Sequence, residues 1–168
     1  MVIEFIITFG VRTLKYLDMK TFTTLKEVRN WLDDIDGINA GGCGLAALAM
    51  FRWLQKEQKL MGNESFTYLY QSKDYFYTSN STYLKDKSIG HFNSCCHIMF
   101  CYEGINYDSN SNRISDSYPV KHEGITESLL VEALNFGGWN CEFNRRYYLP
   151  IIEERLDIDL SDVSRGNF

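Results

Sequence analysis

A cysteine set among glycines opens the segment that most constrains this fold. Cys43 has glycines at positions 41, 42 and 44, and an unbroken apolar run follows over residues 45–51. Strong helix formers then continue to about Lys59, so the pattern predicts a helix that begins at about Cys43. Because its first two turns are apolar nearly all round, we expect this helix to be buried at the centre of the molecule.

The composition is that of a globular domain. The chain has 168 residues, of which 45% are hydrophobic and 23% charged, and a chain of this length can bury roughly two-thirds of its unfolded surface. The aromatic content of 15% favours strands and a packed core. We therefore predict one α+β domain over residues 1–156, followed by a loose C-terminal tail over residues 157–168.

The charge distribution argues against two classes of partner. The net charge is −5 and no basic block dominates the sequence, whereas nucleic-acid binding needs a basic patch. No apolar window approaches the length that crosses a bilayer, so a membrane partner is not expected. The apolar residues 1–9 include Glu4 and lack the basic region of a signal peptide. They predict a first strand at residues 2–9 instead. Without a recognisable signal peptide, the protein is expected to be cytoplasmic.

Periodicity and turn signals predict the remaining elements. Thr24 and Glu27 form a capping box that begins an amphipathic helix over about residues 24–34, closed by Gly37. The other patterns predict strands at 66–71 and 141–152, a helix at 125–136, and polar loops at 72–93 and 109–117.

Two strand-like segments, 96–102 and 105–108, flank Glu103-Gly104 and predict a β-hairpin with a tight turn. With a two-residue turn Met99 lies opposite Asp108, so His97 and Asp108 share a face as diagonal neighbours within hydrogen-bond reach. A three-residue loop would instead move Asp108 to the other face.

The cysteines and histidines also allow a metal site to be considered. The chain has five cysteines, an odd number with no Cys-x-x-Cys pair, so reduced thiols are expected. A zinc site is conceivable because several ligand types cluster in sequence: His91, Cys95, Cys96, His97 and Cys101. Adjacent cysteines fit a tetrahedral site poorly, so we predict neither a metal nor a cofactor. We expect His91 and His122 to be solvated and Cys141 to lie in the core. Cys101 shares the strand face of His97 and could sit near Cys43, but we expect it to be a packing residue.

Three of these residues suit nucleophilic catalysis. A helix N-terminus favours a thiolate at Cys43, and the flanking glycines would admit a substrate backbone and present N–H groups to an oxyanion. His97 would be the general base. Asp108, bound to the Nδ1 atom of His97, would leave Nε2 to take the thiol proton. The alternatives are structural: a packed cysteine, a core histidine and a turn aspartate.

The segments 39–48 and 97–109 resemble the papain-like cysteine peptidase and transglutaminase-like superfamily, including papain-fold proteins encoded by phages and bacteria. The resemblance implies a papain-like fold, in which a buried helix carrying the cysteine packs on an antiparallel sheet. It also implies a triad of Cys43, His97 and Asp108. Papain-like peptidases usually carry a Gln before the cysteine as an oxyanion donor. Here the only nearby amide side chain is Asn39, which would take that role; the alternative is the backbone N–H of Cys43 acting with another group.

The resemblance implies a cysteine hydrolase of the peptidase or amidase class, acting on a peptide or amide substrate through an acyl-enzyme. Deamidases and transglutaminases use the same parts. The alternative is a papain-fold protein without catalysis that serves as a binding or structural component of a virus or phage particle. A protein partner or a homo-oligomer, and a virion-associated location, remain open.

Overall fold

The computed structural model describes residues 21–38, 42–70, 97–108, 120–136 and 142–163. Within these ranges the chain is α+β, with four helices and one four-stranded antiparallel sheet. The helices are α1 (Leu25–Asp33), α2 (Cys43–Lys56), α3 (Glu127–Phe136) and α4 (Glu142–Leu156). The strands are β1 (Ser65–Tyr70), β2 (His97–Tyr102), β3 (Ile105–Tyr107) and β4 (Val120–Ile125), in the spatial order β3-β2-β1-β4.

Helix α2 lies at the centre of the described structure, as its apolar sequence predicts. Ten of its 14 residues are buried, and it packs against strand β2 and against the other three helices. Its partners on the sheet include Phe66 and Phe100, whose rings lie 5.5 Å apart. A helix enclosed in this way is stabilised by contacts on all sides, which fixes the position of its first residue, Cys43.

The start of α2 approaches the sheet more closely than a side chain would permit. A Cβ atom on Gly44 would lie 2.9 Å from Cδ1 of Ile98 in β2 and 3.0 Å from Cδ2 of Leu134 in α3. Both distances are below ordinary van der Waals contact, so the glycine is what lets the helix start rest against β2.

Helix α1 confirms the predicted capping box. The Thr24 hydroxyl accepts from the Glu27 amide at 3.2 Å, and the Glu27 carboxylate accepts from the Thr24 amide at 3.1 Å. The chain then turns at Gly37, where φ is +76° and a Cβ would lie 2.7 Å from the Tyr148 hydroxyl oxygen. A residue with a side chain would be both strained and crowded at Gly37.

Two sequence predictions are wrong. Residues 142–156, expected in part as a strand, form helix α4, which even contains Pro150. The aromatic and β-branched residues suggested a strand, but Tyr148, Ile152 and Leu156 are buried at helical spacing, and that packing overrides local propensity. Strand β4 was not foreseen either. It occupies residues expected to lie in a polar loop and at the start of a helix, and α3 begins only at Glu127.

The segment after α4 is in contact with the core as far as Val163. Leu160 and Val163 are buried, and the Leu160 amide donates to the Glu153 carboxylate at 3.1 Å. The strand predicted at residues 2–9 lies outside the described residues. No helix in the described ranges is long and apolar enough to cross a membrane.

Candidate functional site

The β2–β3 hairpin has the predicted turn and register. Tyr102 pairs with Ile105 and Phe100 with Tyr107, which leaves a two-residue turn. Both turn residues have positive φ, +51° at Glu103 and +74° at Gly104, as a type I′ turn requires. Because the side-chain period of a strand is two, this register places Asp108 on the same face as His97.

His97 and Asp108 meet as a buried pair. Nε2 of His97 lies 3.2 Å from Oδ1 of Asp108, and the residues are 4% and 2% exposed respectively. A carboxylate that is buried to this extent needs a charged or hydrogen-bonding partner, and the imidazole supplies one. The prediction that these two side chains come within hydrogen-bond reach is confirmed.

The ring nitrogen that faces Asp108 differs from the expectation. The expected partner of Asp108 is Nδ1, whereas the carboxylate lies beside Nε2 in the structure. The two Cβ atoms belong to diagonal positions of the hairpin, about 7 Å apart in an antiparallel pair. Nε2 is at the far end of the ring and can cross that distance, whereas Nδ1 stays close to the His97 backbone.

Cys43 is the first residue of α2, as predicted, and is 2% exposed. Its thiol lies close enough to the His97 ring to raise the pKa of the ring. The contact arises because His97 is the first residue of β2 and its neighbour Ile98 is the residue against which Gly44 rests. The structure therefore brings Cys43, His97 and Asp108 together, although they come from a helix, a strand and the end of a hairpin.

The electrostatic surroundings of His97 favour its protonated form. Burial alone would lower the pKa of His97, but hydrogen bonds to Asp108 and Cys43 and the charges of both groups outweigh it and raise the pKa to about 9. An imidazole in this setting holds a proton at neutral pH. Such a ring can stabilise a neighbouring thiolate as an ion pair.

The two described glycines that flank Cys43, Gly42 and Gly44, lie in close contact with the rest of the protein. The Gly42 amide donates to the Ile38 carbonyl at 2.7 Å, and a Cβ on Gly42 would lie 2.6 Å from that oxygen. Gly42 and Gly44 therefore serve close packing within the protein, and the Gly42 amide is already engaged. Among the described residues no side chain caps α2, and the first amides of a helix have no partner inside the helix. Asn39 and Gly41 lie outside the described residues.

Two further predicted residues have other surroundings. Cys101 lies at the far end of β2, where its thiol donates to Asn106 Oδ1 at 2.6 Å and contacts the Thr67 hydroxyl at 3.3 Å. His122, expected in a loop, lies in β4 with its ring 6.3 Å from that of Tyr68. Burial lowers the pKa of His122. The sequence signal for β4 was the single apolar residue at each of its ends, too weak to outweigh its polar middle.

A metal site is not formed by the described residues, since no three His, Cys, Asp or Glu side chains among them are suitably grouped. Most of the residues weighed for zinc, His91, Cys95 and Cys96, lie outside the described ranges, as does Cys141. A cavity of about 370 Å³ lies elsewhere, between the middle of α2, helix α3 and the chain after α4. Its lining includes Arg52, which bonds Asp162 at 2.6 Å, and none of the three clustered residues.

Comparisons with known proteins do not assign the chain to a family. No protein-family model matches it, and neither the curated proteins nor the solved structures contain a significant match.

Proposed function

We propose that the protein is a papain-like cysteine hydrolase of the peptidase or amidase class. One observation supports this above all: the buried His97 ring contacts both the Asp108 carboxylate and the Cys43 thiol. A nucleophile, a base and an orienting acid in hydrogen-bond contact are the parts that acyl transfer through a thiol requires.

In the proposed reaction Nδ1 of His97 already holds the proton of the Cys43 thiol, because the raised pKa of His97 favours the imidazolium and Nε2 faces Asp108. The thiolate sulfur attacks the substrate carbonyl carbon, and the C–N bond of the amide breaks. The imidazolium returns its proton to the departing nitrogen, which leaves as an amine, and a thioester remains on Cys43. Water then attacks the thioester, giving one proton to His97 and releasing the acid, and the thiol is restored.

Asp108 would act by orientation and charge. Its carboxylate fixes the ring so that the other nitrogen faces Cys43, and it stabilises the imidazolium. The amides at the start of α2 are the groups that would stabilise the negative oxygen of the tetrahedral intermediate, since the Gly42 amide is bonded to Ile38. Asn39 remains the candidate for a second donor.

A second function is favoured by a different observation. Cys43, His97 and Asp108 are each 4% exposed or less, so none of them presents an open surface to a substrate. A papain-fold protein with a binding or structural role, for example in a virus or phage particle, would keep the triad as a buried polar cluster. It would act in the cytoplasm or in a virion, with a protein partner or a second copy in place of a peptide substrate.

Alkylation of the thiols separates the two functions. We expect iodoacetamide at pH 6 to modify Cys43 faster than Cys101, with each cysteine followed by peptide mass spectrometry. Cys101 is a matched internal control, because it is half-buried and bonded to Asn106 and Thr67. His97→Ala should abolish the advantage of Cys43 and leave Cys101 unchanged. Equal rates for the two thiols in the wild-type protein would favour the binding or structural function.

A screen of fluorogenic peptide amides then tests catalysis directly. Cys43→Ala should remove all turnover and cost only about 1 kcal/mol of stability, because it deletes one small buried group. Turnover that survives in this variant would rule out Cys43 as the nucleophile.

A further inference from the structure

Strand β3, which directly precedes Asp108, is short and exposed. Strand β3 has three residues, and two of them, Ile105 and Asn106, are exposed. It lies at the edge of the sheet and pairs only with β2 among the described strands. Asp108 comes directly after it, so the carboxylate keeps its place beside His97 only while β3 keeps its place beside β2.

The Cys101–Asn106 pair is where β3 lacks backbone bonds to β2. In a two-residue hairpin the pair next to the turn, here Tyr102 and Ile105, exchanges backbone hydrogen bonds, and the following pair does not. That following pair is Cys101 and Asn106. At such a position the side chains are closest, so a bond between them can stabilise the hairpin.

Hydrogen bonds between three side chains connect the strands at this position. The Cys101 thiol donates to Asn106 Oδ1 at 2.6 Å, and the Thr67 hydroxyl lies 3.3 Å from the same sulfur. Because the thiol proton is directed to Asn106, the Thr67 hydroxyl is the donor to the sulfur. Thr67 belongs to β1 and is 1% exposed. The exposed strand β3 is thereby linked through β2 to a buried residue in the middle of the sheet.

The linked residues share a face of the sheet with the candidate site. Cys101, Met99 and His97 alternate along β2, and Asn106 and Asp108 alternate along β3. Asn106 is therefore separated from Asp108 by about 7 Å along one strand and points to the same side. A shift of β3 that broke the Asn106 contact would carry Asp108 away from the imidazole.

We propose that Asn106 is a positioning residue, which through its hydrogen bond from Cys101 holds Asp108 against His97. The role rests on the proposed function, since it gives the orienting carboxylate of that site its location. Asn106 would act only through the placement of Asp108.

The test follows the His97 ring by NMR titration of the three histidines in labelled protein. Asn106→Ala removes the acceptor, and Cys101→Ala removes the donor. Each should lower the pKa of His97 by about 1 unit, as partial loss of a neighbouring carboxylate does. The double variant should fall no further than either single one, because both break one interaction. Cys101→Ser, which keeps a donor, should restore the wild-type value.

Ile105→Ala is the matched control, because it weakens the same strand at an exposed residue on the opposite face and leaves the Cys101–Asn106 bond intact. The proposal is overturned if His97 titrates as in the wild type in the folded Asn106→Ala or Cys101→Ala protein, or if Ile105→Ala lowers its pKa equally. Should Asn106→Ala fail to fold, the Cys101→Ala and Cys101→Ser pair decides the matter.

Alkylation of the wild-type protein, which keeps both thiols, separates the two proposals. If Cys43 labels no faster than Cys101 while the His97 titration moves as expected, the hydrolase proposal fails and the positioning role stands. If Cys43 labels rapidly and the titration does not move, the positioning role fails and the hydrolase proposal stands.

Discussion

His97 and His122 lie on two strands of the same sheet and have opposite electrostatic behaviour. Both lose water on folding, which by itself lowers a histidine pKa. For His122, packed against the Tyr68 ring, that effect prevails and the pKa is lowered. For His97 the Asp108 carboxylate and the Cys43 thiol reverse it and raise the pKa to about 9. Burial is therefore a poor guide to the protonation state, and the neighbouring charges decide it.

Removing the charge of Asp108 should reduce the difference between the pKa values of the two histidines more than any other change. Asp108→Asn keeps the shape and burial of the site, so the pKa of His97 should fall by about 2 units and approach that of His122. Turnover on any substrate should fall by about 10²–10⁴, with a much smaller loss of stability. NMR titration and alkylation of Cys43 at pH 6 measure the change. Asp36→Asn, at an exposed carboxylate, is the control. Full activity of Asp108→Asn would mean that Cys43 and His97 act as a dyad without Asp108.

The two histidines should also give the protein opposite pH dependences on either side of pH 6.5. The folded pKa of His97 is about 9 against 6.5 unfolded, so its contribution is complete below 6.5 and is lost as the pH rises through 9. The difference corresponds to about 3 kcal/mol. His122, with a lowered pKa, contributes stability that is lost as the pH falls below 6.5.

Urea unfolding between pH 5 and 9.5 checks both slopes. His97→Gln should flatten the decline above pH 6.5, and His122→Gln should flatten the decline below it. A stability that still falls above pH 6.5 in His97→Gln would assign that slope to other groups.

The contribution of Cys43 to the His97 pKa can be tested by moving Cys43 away from His97 while leaving His122 in place. In Gly44→Ala the new Cβ would meet Ile98 and Leu134 at about the distances of a steric clash. The overpacking should cost about 1–3 kcal/mol, offset in part by about 1 kcal/mol of better helix propensity. We expect a lower urea midpoint, a lower His97 pKa and an unchanged His122 titration. A raised midpoint would mean that the helix start has room to move.

The smallest effect is expected at the second histidine itself. His122→Gln removes a ring contact with Tyr68 at a half-buried position, so the loss at pH 7 should stay below about 1 kcal/mol. Alkylation of Cys43 should be unchanged, as it should in Lys121→Gln at the exposed neighbouring residue. A slower reaction of Cys43 in His122→Gln alone would bring His122 into the site.

Local sequence patterns determined the elements whose signals are short-range. The capping box of Thr24 and Glu27, the apolar helix beginning at Cys43 and the two-residue turn at Glu103-Gly104 each depend on neighbours a few residues apart. The turn also fixed the hairpin register, because strand pairing follows from loop length. The meeting of His97 and Asp108 could therefore be predicted without coordinates.

Tertiary packing decided what local patterns could not. Helix α4 has the aromatic and branched residues of a strand, and the burial of Tyr148, Ile152 and Leu156 at helical spacing makes the helix the better state. The ring nitrogen that faces Asp108, the packing roles of Gly42 and Gly44, and the contact of Cys43 with His97 all depend on how the start of α2 rests on β2. Those distances are set by side chains far apart in sequence, which no local period encodes.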